Sequence, residues 1–597
     1  MNLSDFNINK SDKIFLIILF IFAFLCTLKM TLFCLSGGIL NPDVSLYLIS
    51  GLKYAGMDYY NIVNPHDLYF TPVISFLSSL FFRLGFVNQS VIMIITGIFG
   101  FFGYIGLYLL LRNRFNPLLS LSGVIIYGSL SVVLFNLGKG LIDLPAVSFS
   151  IWVLVFAIMA IDKNPKYYLI VFPLFVIGFF VKYIVGFTLP LIVLYYLFNK
   201  DLFNLLNTDK KQLKNILSNY LKSKEFKYIC ISLVIALILA VIICKTLILD
   251  FGGSLTFFNQ SVRTFTESGF NENSINYLLD KLFYVHKLPY VLFILRRSGN
   301  VLTTLIIGIF SIGFILALFN LLRNIKVFKY LKNNKLSFNN RYFSKLLVLL
   351  LVLSVIGVFV GFKYLSNSMF SNICVLIAIT CIFVIFEKYN ITNKNFQFDL
   401  LFLAYFSITF IFISLYPIKV ARYFLMVLPA FIYFIVWGLD SITNFCNTRF
   451  DDCESFKFKL TNNFDVNYSK SASIVPVLVI LLFLISTVLF IGPMQLDDHN
   501  KVYDDVLKQG FVNDLVDACD YIKNTDANYH SKSFASYNHH ERTIRWYLNV
   551  NVTILDEESP DLEEFNNTTY IILKYDKDFD NYHKIKNCGD FNIYQHN

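Results

Sequence analysis

The stretch "IFLIILFIFAFLCTLKMTLFCLSGGILNPDVSLY", residues 14–47, decides how the chain is read. From Ile14 to Cys34 its only charge is Lys29. A run of about 20 apolar residues is long enough to cross a hydrocarbon core of roughly 30 Å. It is too long for the core of a signal peptide and no small-residue cleavage site follows it, so it reads as a retained membrane helix. The apolar run stops at Gly37, and a carboxylate, Asp43, follows at once. Tyr47 lies four residues further on, which is one turn along the same face if the segment is helical.

The rest of the chain repeats this theme. Its 597 residues are 56% hydrophobic, 17% aromatic and only 15% charged, with a mean hydropathy of +0.61. A soluble protein of several domains carries far more charge. Hydropathy predicts membrane helices near 14–36, 88–111, 117–138, 141–161, 167–181, 183–198, 227–249, 300–322, 345–364, 368–387, 398–416, 423–440 and 473–494. The expected architecture is therefore an all-α polytopic membrane protein with about 13 spans. Residues 167–198 can also be read as one long helix.

The net charge of +10 does not point to nucleic acid, because the basic residues gather in a few loops. The stretch 321–345 holds seven Lys or Arg and no acid, and a second basic stretch runs from Lys200 to Lys227. Such loops mark the cytoplasmic side. A cytoplasmic N-terminus and an odd number of spans place the segments 37–87, 250–299 and 495–597 together outside. Within 37–87 two amphipathic stretches read as helices in the interface plane; the competing reading lets 68–86 span. The division expected is a transmembrane domain, 1–494, and a small extracytoplasmic α/β domain, 495–597. The latter is read from a helical period over 502–524 and from strand-like "NVTIL", "TYIILKY" and "FNIYQHN". "NHHER", 538–542, reads as an exposed loop. The ten cysteines lack metal-site spacing, and Cys519 and Cys588 are the pair that an exported domain could bridge. Sequons stand at Asn551, Asn566 and Asn567.

A few polar residues interrupt this apolar pattern. Asp143 opens the helix predicted at 141–161, just after Lys139; helix capping accounts for it as well as catalysis does. Lys182 sits inside "FFVKYIVGFTLPLIVLYYL", where a lysine needs an anionic partner or a turn at the membrane surface. Lys419, Arg422 and Tyr423 precede the helix at 423–440, and snorkelling to headgroups is the competing role for the cations. His66, Asp67 and His286 are weaker candidates. Two carboxylates and several cations beside interfacial helices suit a reaction between a lipid phosphate and a hydroxyl acceptor. The cations would stabilise a phosphate leaving group, and a carboxylate would take the acceptor's proton.

These motifs resemble the GT-C membrane glycosyltransferases, and within them the protein O-mannosyltransferases and aminoarabinose transferases. The resemblance rests on "NPDVSLYL", "YFTPVISFLSSLFFRLG", "LIDLPAVSFSIWVL", "VKYIVGFTLPLIV", "ARYFLMVLPAFIY" and "IRWYL". It implies a polyprenyl- or dolichyl-phosphate-linked sugar donor, mannose or another hexose or pentose, and transfer on the outer face. It implies Asp43 and Asp143 as catalytic acids, with Tyr47, Lys139, Lys182, Lys419, Arg422 and Tyr423 contacting substrate. The acceptor is left open among lipid, glycan and protein, and the cofactor is left unknown, with a divalent metal not assigned to any residue. Asp43 is followed by Val44, where protein mannosyltransferases carry a second acid, which weighs against a protein acceptor. A single Pro72 replaces a proline pair, and the Trp-Trp-Asp motif of oligosaccharyltransferases is missing. A flippase for a lipid-linked sugar, or a structural or receptor membrane protein, are the competing classes.

Overall fold

The computed structural model describes residues 10–37, 41–57, 72–200, 210–251, 305–319, 338–388, 392–416, 421–449, 457–459, 465–467, 470–491, 511–537, 540–555 and 568–597, apart from isolated positions. The first helix, α1 (Lys10–Gly37), is followed by α2 (Pro42–Ala55) and α3 (Val73–Arg83). The next helices are α4 (Ser90–Arg112), α5 (Pro117–Ser129), α6 (Ser131–Leu134), α7 (Asp143–Asp162), α8 (Tyr168–Val181) and α9 (Thr188–Phe198). Beyond them lie α10 (Lys210–Leu221), α11 (Lys224–Ile243), α12 (Leu305–Leu316), α13 (Phe338–Lys363), α14 (Ser368–Lys388), α15 (Lys394–Leu415), α16 (Leu428–Arg449) and α17 (Lys470–Ile491). Among the described residues, eight helices are long and apolar enough to cross a membrane. The other five expected spans fall on the shorter apolar helices α5, α8, α9, α12 and α17.

Two of the boundaries differ from expectation for a physical reason, and a third agrees with it. The helix expected over 117–138 ends at Ser129, because Leu130 is extended (φ −67°, ψ 129°). Residues 130–142 then fold as the single turn α6 and a buried loop, and burial gives a loop the same apolar composition as a helix. Its turn is made by Gly138 and Gly140 at φ 67° and 83°, where a side chain is strained. The break expected between 167–181 and 183–198 is formed at Lys182, whose backbone is extended (φ −163°, ψ 136°), so the reading as one long helix does not hold. The helix expected from 423 starts at Leu428, behind a 3-10 turn at Ala421–Met426.

The loop between the first two spans contains two helices, as its pattern predicts. Asn41 caps α2 by accepting the Asp43 N–H at 2.9 Å, and Pro42 occupies the first turn, where no N–H is needed. Gly56 (φ 72°) ends it in the left-handed conformation. With 11 residues, α3 is about 16 Å long, shorter than a hydrocarbon core of roughly 30 Å. Lys53 and Tyr54 donate to the carbonyls of Phe251 and Leu247, so the end of α2 is tied to the segment that follows α11.

The C-terminal residues form a five-stranded mixed sheet in the order β4-β3-β5-β7-β6. Its strands are β3 (Phe534–Tyr537), β4 (Val552–Leu555), β5 (Tyr570–Leu573), β6 (Tyr582–Cys588) and β7 (Phe591–His596); β1 (Lys457–Lys459) and β2 (Asp465–Asn467) pair separately. Two helices, α18 (Phe511–Thr525) and α19 (His540–Leu548), cover one face through Leu515, Ala518, Ile522, Ile544 and Leu548. Cys519 lies in this core and both Cys519 and Cys588 are free thiols, so the bridge considered from sequence is not formed. Asn551 is exposed. Asn566 and Asn567, His66, Asp67, His286 and most of the 321–345 loop lie outside the described residues.

The packing that places the site is that of α4 against α7. A Cβ on Gly103 would lie 2.3 Å from Ser148 Oγ, so the two helices approach as closely as glycine allows. We predict that Gly103→Val forces them apart and destabilises the protein by about 1–3 kcal/mol. Gly308→Ala, where an added Cβ meets nothing within 4 Å, serves as the control. Thermal unfolding in detergent checks this: equal melting temperatures for the two variants would refute the close-packing argument.

Candidate active site

Four separate parts of the chain meet at the N-terminus of α2. Asp43 stands in the first turn of that helix, where a carboxylate is favoured by the exposed N–H groups. Asn41 does the capping, which leaves both Asp43 oxygens for other partners. Arg422, on the 3-10 turn before α16, donates from Nη2 to Asp43 Oδ2 at 2.7 Å. Arg542, on α19, donates from Nη1 to Asp43 Oδ1 at 3.3 Å.

A second ion pair lies beside the first. Asp143 opens α7 but does not cap it: the N-cap is Ile142, with no side-chain cap bond. Its Oδ1 instead accepts from Lys182, at the break between α8 and the 3-10 turn Tyr183–Phe187. Asp143 is only 3% exposed and the pair sits within the bundle. Arg422 Nε approaches Asp143 Oδ2 at 3.8 Å, so one guanidinium joins both carboxylates. Charges thus alternate in space from Lys182 through Asp143, Arg422 and Asp43 to Arg542, whose Nε lies 3.5 Å from Glu541 Oε1.

The neighbouring aromatic groups fit this array. Tyr423 presents its ring to Lys182 Nζ at 5.0 Å and to the Arg422 guanidinium at 5.7 Å. Tyr47 is buried beneath Asp43. Burial first, and then the charge of Asp43, hold its phenol well above the usual range, so it stays a neutral hydroxyl. Lys139 is delivered by the turn between Gly138 and Gly140. Burial pushes its ammonium down to about 8; Cys34 and Asp143 oppose this and the Arg422 cation adds to it.

Asp43 behaves differently. Burial alone would raise its carboxyl, but Arg422, then Arg542 and Lys182, outweigh burial and hold it below the ordinary range. The site is not saturated, however. Arg422 Nε and Nη1 and Arg542 Nε are buried without a hydrogen-bond acceptor. Buried donors are costly to leave unpaired, so this arrangement suits an incoming anion. Near the charges lies a small cavity of about 10 Å³, lined by Val147, Ile184, Phe187, Tyr405 and Met426 together with the hydroxyl side chains of Ser150, Thr188 and Thr409. Val147 is one turn along α7 from Asp143, and Met426 closes the turn that carries Arg422.

Of the residues expected from sequence, Asp43, Tyr47, Asp143, Lys182, Arg422 and Tyr423 come together, and Lys139 adjoins them. Lys419 lies outside the described residues. The reading of "NHHER" as an exposed loop is corrected: Glu541 and Arg542 belong to α19, and Glu541 is 2% exposed. Apolar residues at Ile544, Tyr547 and Leu548 carry the helical spacing that could have revealed it. Among the described residues no three His, Cys, Asp or Glu side chains converge as metal ligands.

Residues 70–218 match the model of the dolichyl-phosphate-mannose-protein mannosyltransferase family. No curated protein matches the sequence. The structure is similar to that of ArnT from Cupriavidus metallidurans bound to undecaprenyl phosphate, at 12% identity and a TM-score of 0.50, over 96% of this chain and 97% of that one. The chain has the GT-C membrane glycosyltransferase fold. The apo form of the same ArnT scores 0.49 at 10% identity, over 96% and 97% of the two chains. The Archaeoglobus fulgidus oligosaccharyltransferase in complex with Zn and sulfate scores 0.40 at 12% identity, over 92% of this chain and 68% of that one. In this GT-C fold the charge array sits at the entry of α2 and α7 and at the turn before α16, with α19 closing over it.

Proposed function

We propose that the protein transfers a sugar from a polyprenyl-phosphate donor to a hydroxyl acceptor at the membrane surface. One observation carries this reading: Arg422 bridges two acids through Nη2 and Nε while its Nη1 stays buried without an acceptor. The phosphate of a polyprenyl donor is an anion of the kind that an unpaired buried donor calls for. The family match and the undecaprenyl phosphate bound by ArnT support it.

In the reaction, the bond from the sugar's anomeric carbon to the phosphate oxygen breaks and a bond to the acceptor oxygen forms. The leaving polyprenyl phosphate keeps the bonding electrons, and Arg422 and Lys182 stabilise its charge. Asp43 takes the acceptor's proton as general base, for which it must come within about 2.6–3.2 Å of the acceptor hydroxyl oxygen, directly or through one water. Asp143 holds Lys182 toward the phosphate, and the neutral Tyr47 hydroxyl is a donor to the substrate. The division at residue 495, the extracytoplasmic placement of the C-terminal domain and the cytoplasmic N-terminus belong to this proposal. Their support is the clustering of basic residues in the 200–227 and 321–345 loops.

Two measurements test it. A membrane-impermeant thiol reagent should reach Cys588, which is half-buried, from outside intact cells; labelling only after lysis would reverse the topology. Purified protein in detergent should release polyprenyl phosphate from one of a panel of synthetic polyprenyl-phosphate hexoses and pentoses, with a host lipid extract as acceptor. Asp43→Asn should fold and lose roughly 10²-fold or more in turnover, the scale of general-base catalysis. Transport of the intact donor across vesicles without sugar release would instead identify a flippase.

A further inference from the structure

The C-terminal domain does not merely rest on the membrane domain. Thr543 Oγ1 lies 3.3 Å from Ser45 Oγ, two residues past Asp43. Tyr547 donates its hydroxyl to Gln89 Oε1 at 2.9 Å, just before α4. The Trp546 ring lies 6.3 Å from that of Phe82 on α3. These contacts seat α19 across α2, α3 and the start of α4, and the residue this seat presents to Asp43 is Arg542.

Resting on the assignment of Asp43 as the base, we propose that Arg542 is a positioning residue that holds Asp43 during transfer, making the C-terminal domain part of the active site. The reasoning starts from competition. A donor phosphate and Asp43 Oδ2 both require the guanidinium of Arg422, and the phosphate is the stronger claimant when it chelates the fork. Once Arg422 turns to the phosphate, Oδ2 is released and becomes basic. Without a second partner the carboxylate would then rotate freely. Arg542 remains on Oδ1, with Glu541 beside its Nε, and so keeps Oδ2 directed to the acceptor.

Every charged or titratable group that faces Asp43 among the described residues enters the pH argument. They are Arg422 from the turn before α16, Arg542 from α19 with Glu541 behind it, Lys182 from the break after α8, and Tyr47 from α2 itself. Asp143 acts through Arg422. A base held low stays ionised to lower pH, so removing Arg542 should raise the pH at which Asp43 becomes charged. The acid limb of the rate profile then moves to higher pH.

The test uses the full chain and release of polyprenyl phosphate from the synthetic donors. For Arg542→Gln we expect kcat to fall roughly 10-fold or more, donor KM to change little, and the acid limb to move upward. Arg542→Lys should restore part of both effects. Unchanged kcat and pH profile, or a loss confined to donor KM, would overturn the proposal. Ser45→Cys with Thr543→Cys gives a readout that needs no assignment of sugar. Its disulfide should form and leave transfer intact, whereas loss of transfer that is restored by reduction would show the seated helix to be an inhibited arrangement and overturn the proposal. If the unsubstituted chain consumes no donor while the cross-link forms, the reaction assigned to the site fails and the seat of α19 stands.

Discussion

The arrangement depends on one guanidinium shared between two carboxylates. Arg422 reaches Asp43 at 2.7 Å and Asp143 at 3.8 Å, and each acid has its own further cation. Burying charges is costly, and the attraction between them offsets that cost only when the geometry is good and the remaining donors are used. Here the geometry is supplied by helix starts and chain breaks: α2 and α7 offer their acids in their first turns, while Lys182 and Arg422 lie where regular helix is interrupted. The donors, by contrast, are not all used. An array that leaves buried guanidinium nitrogens unpaired is built for an anion that comes and goes, rather than for stability alone.

Much of this was legible in the sequence because charge is rare in an apolar chain. Asp43, Asp143 and Lys182 interrupt hydrophobic runs, and a membrane exacts a cost for each that chance does not explain. Pairing was not legible: that Asp143 serves Lys182 rather than capping α7 depends on a fold that brings residues 39 positions apart into contact. Arg542 was invisible for the opposite reason. In "NHHERTIRWYL" charge is common, so a buried arginine resembles a solvated one, and only its place against Asp43 gives it meaning.

The loop before α7 shows the same limit in apolar form. Residues 130–142 are buried and hydrophobic, so hydropathy reads them as the end of a helix. The two left-handed glycines were the better signal. An added Cβ at Gly138 would lie 2.3 Å from Thr31 Oγ1, and one at Gly140 would lie 2.8 Å from Val44 Cγ1. The turn is therefore pressed between α1 and α2, which fixes Lys139 and the start of α7 relative to Asp43.

The central claim is that Arg422 is held in readiness for a lipid phosphate. Binding of a polyprenyl monophosphate and of the matching polyprenyl alcohol to the purified protein tests it without any assumption about sugar or acceptor. The alcohol supplies the tail without the charge. The account predicts that the phosphate binds more tightly by roughly 10- to 100-fold, the worth of charge-assisted hydrogen bonds, and that Arg422→Gln removes most of that difference while leaving alcohol binding unchanged. Equal affinity for the two lipids, or a phosphate preference that survives Arg422→Gln, would contradict it.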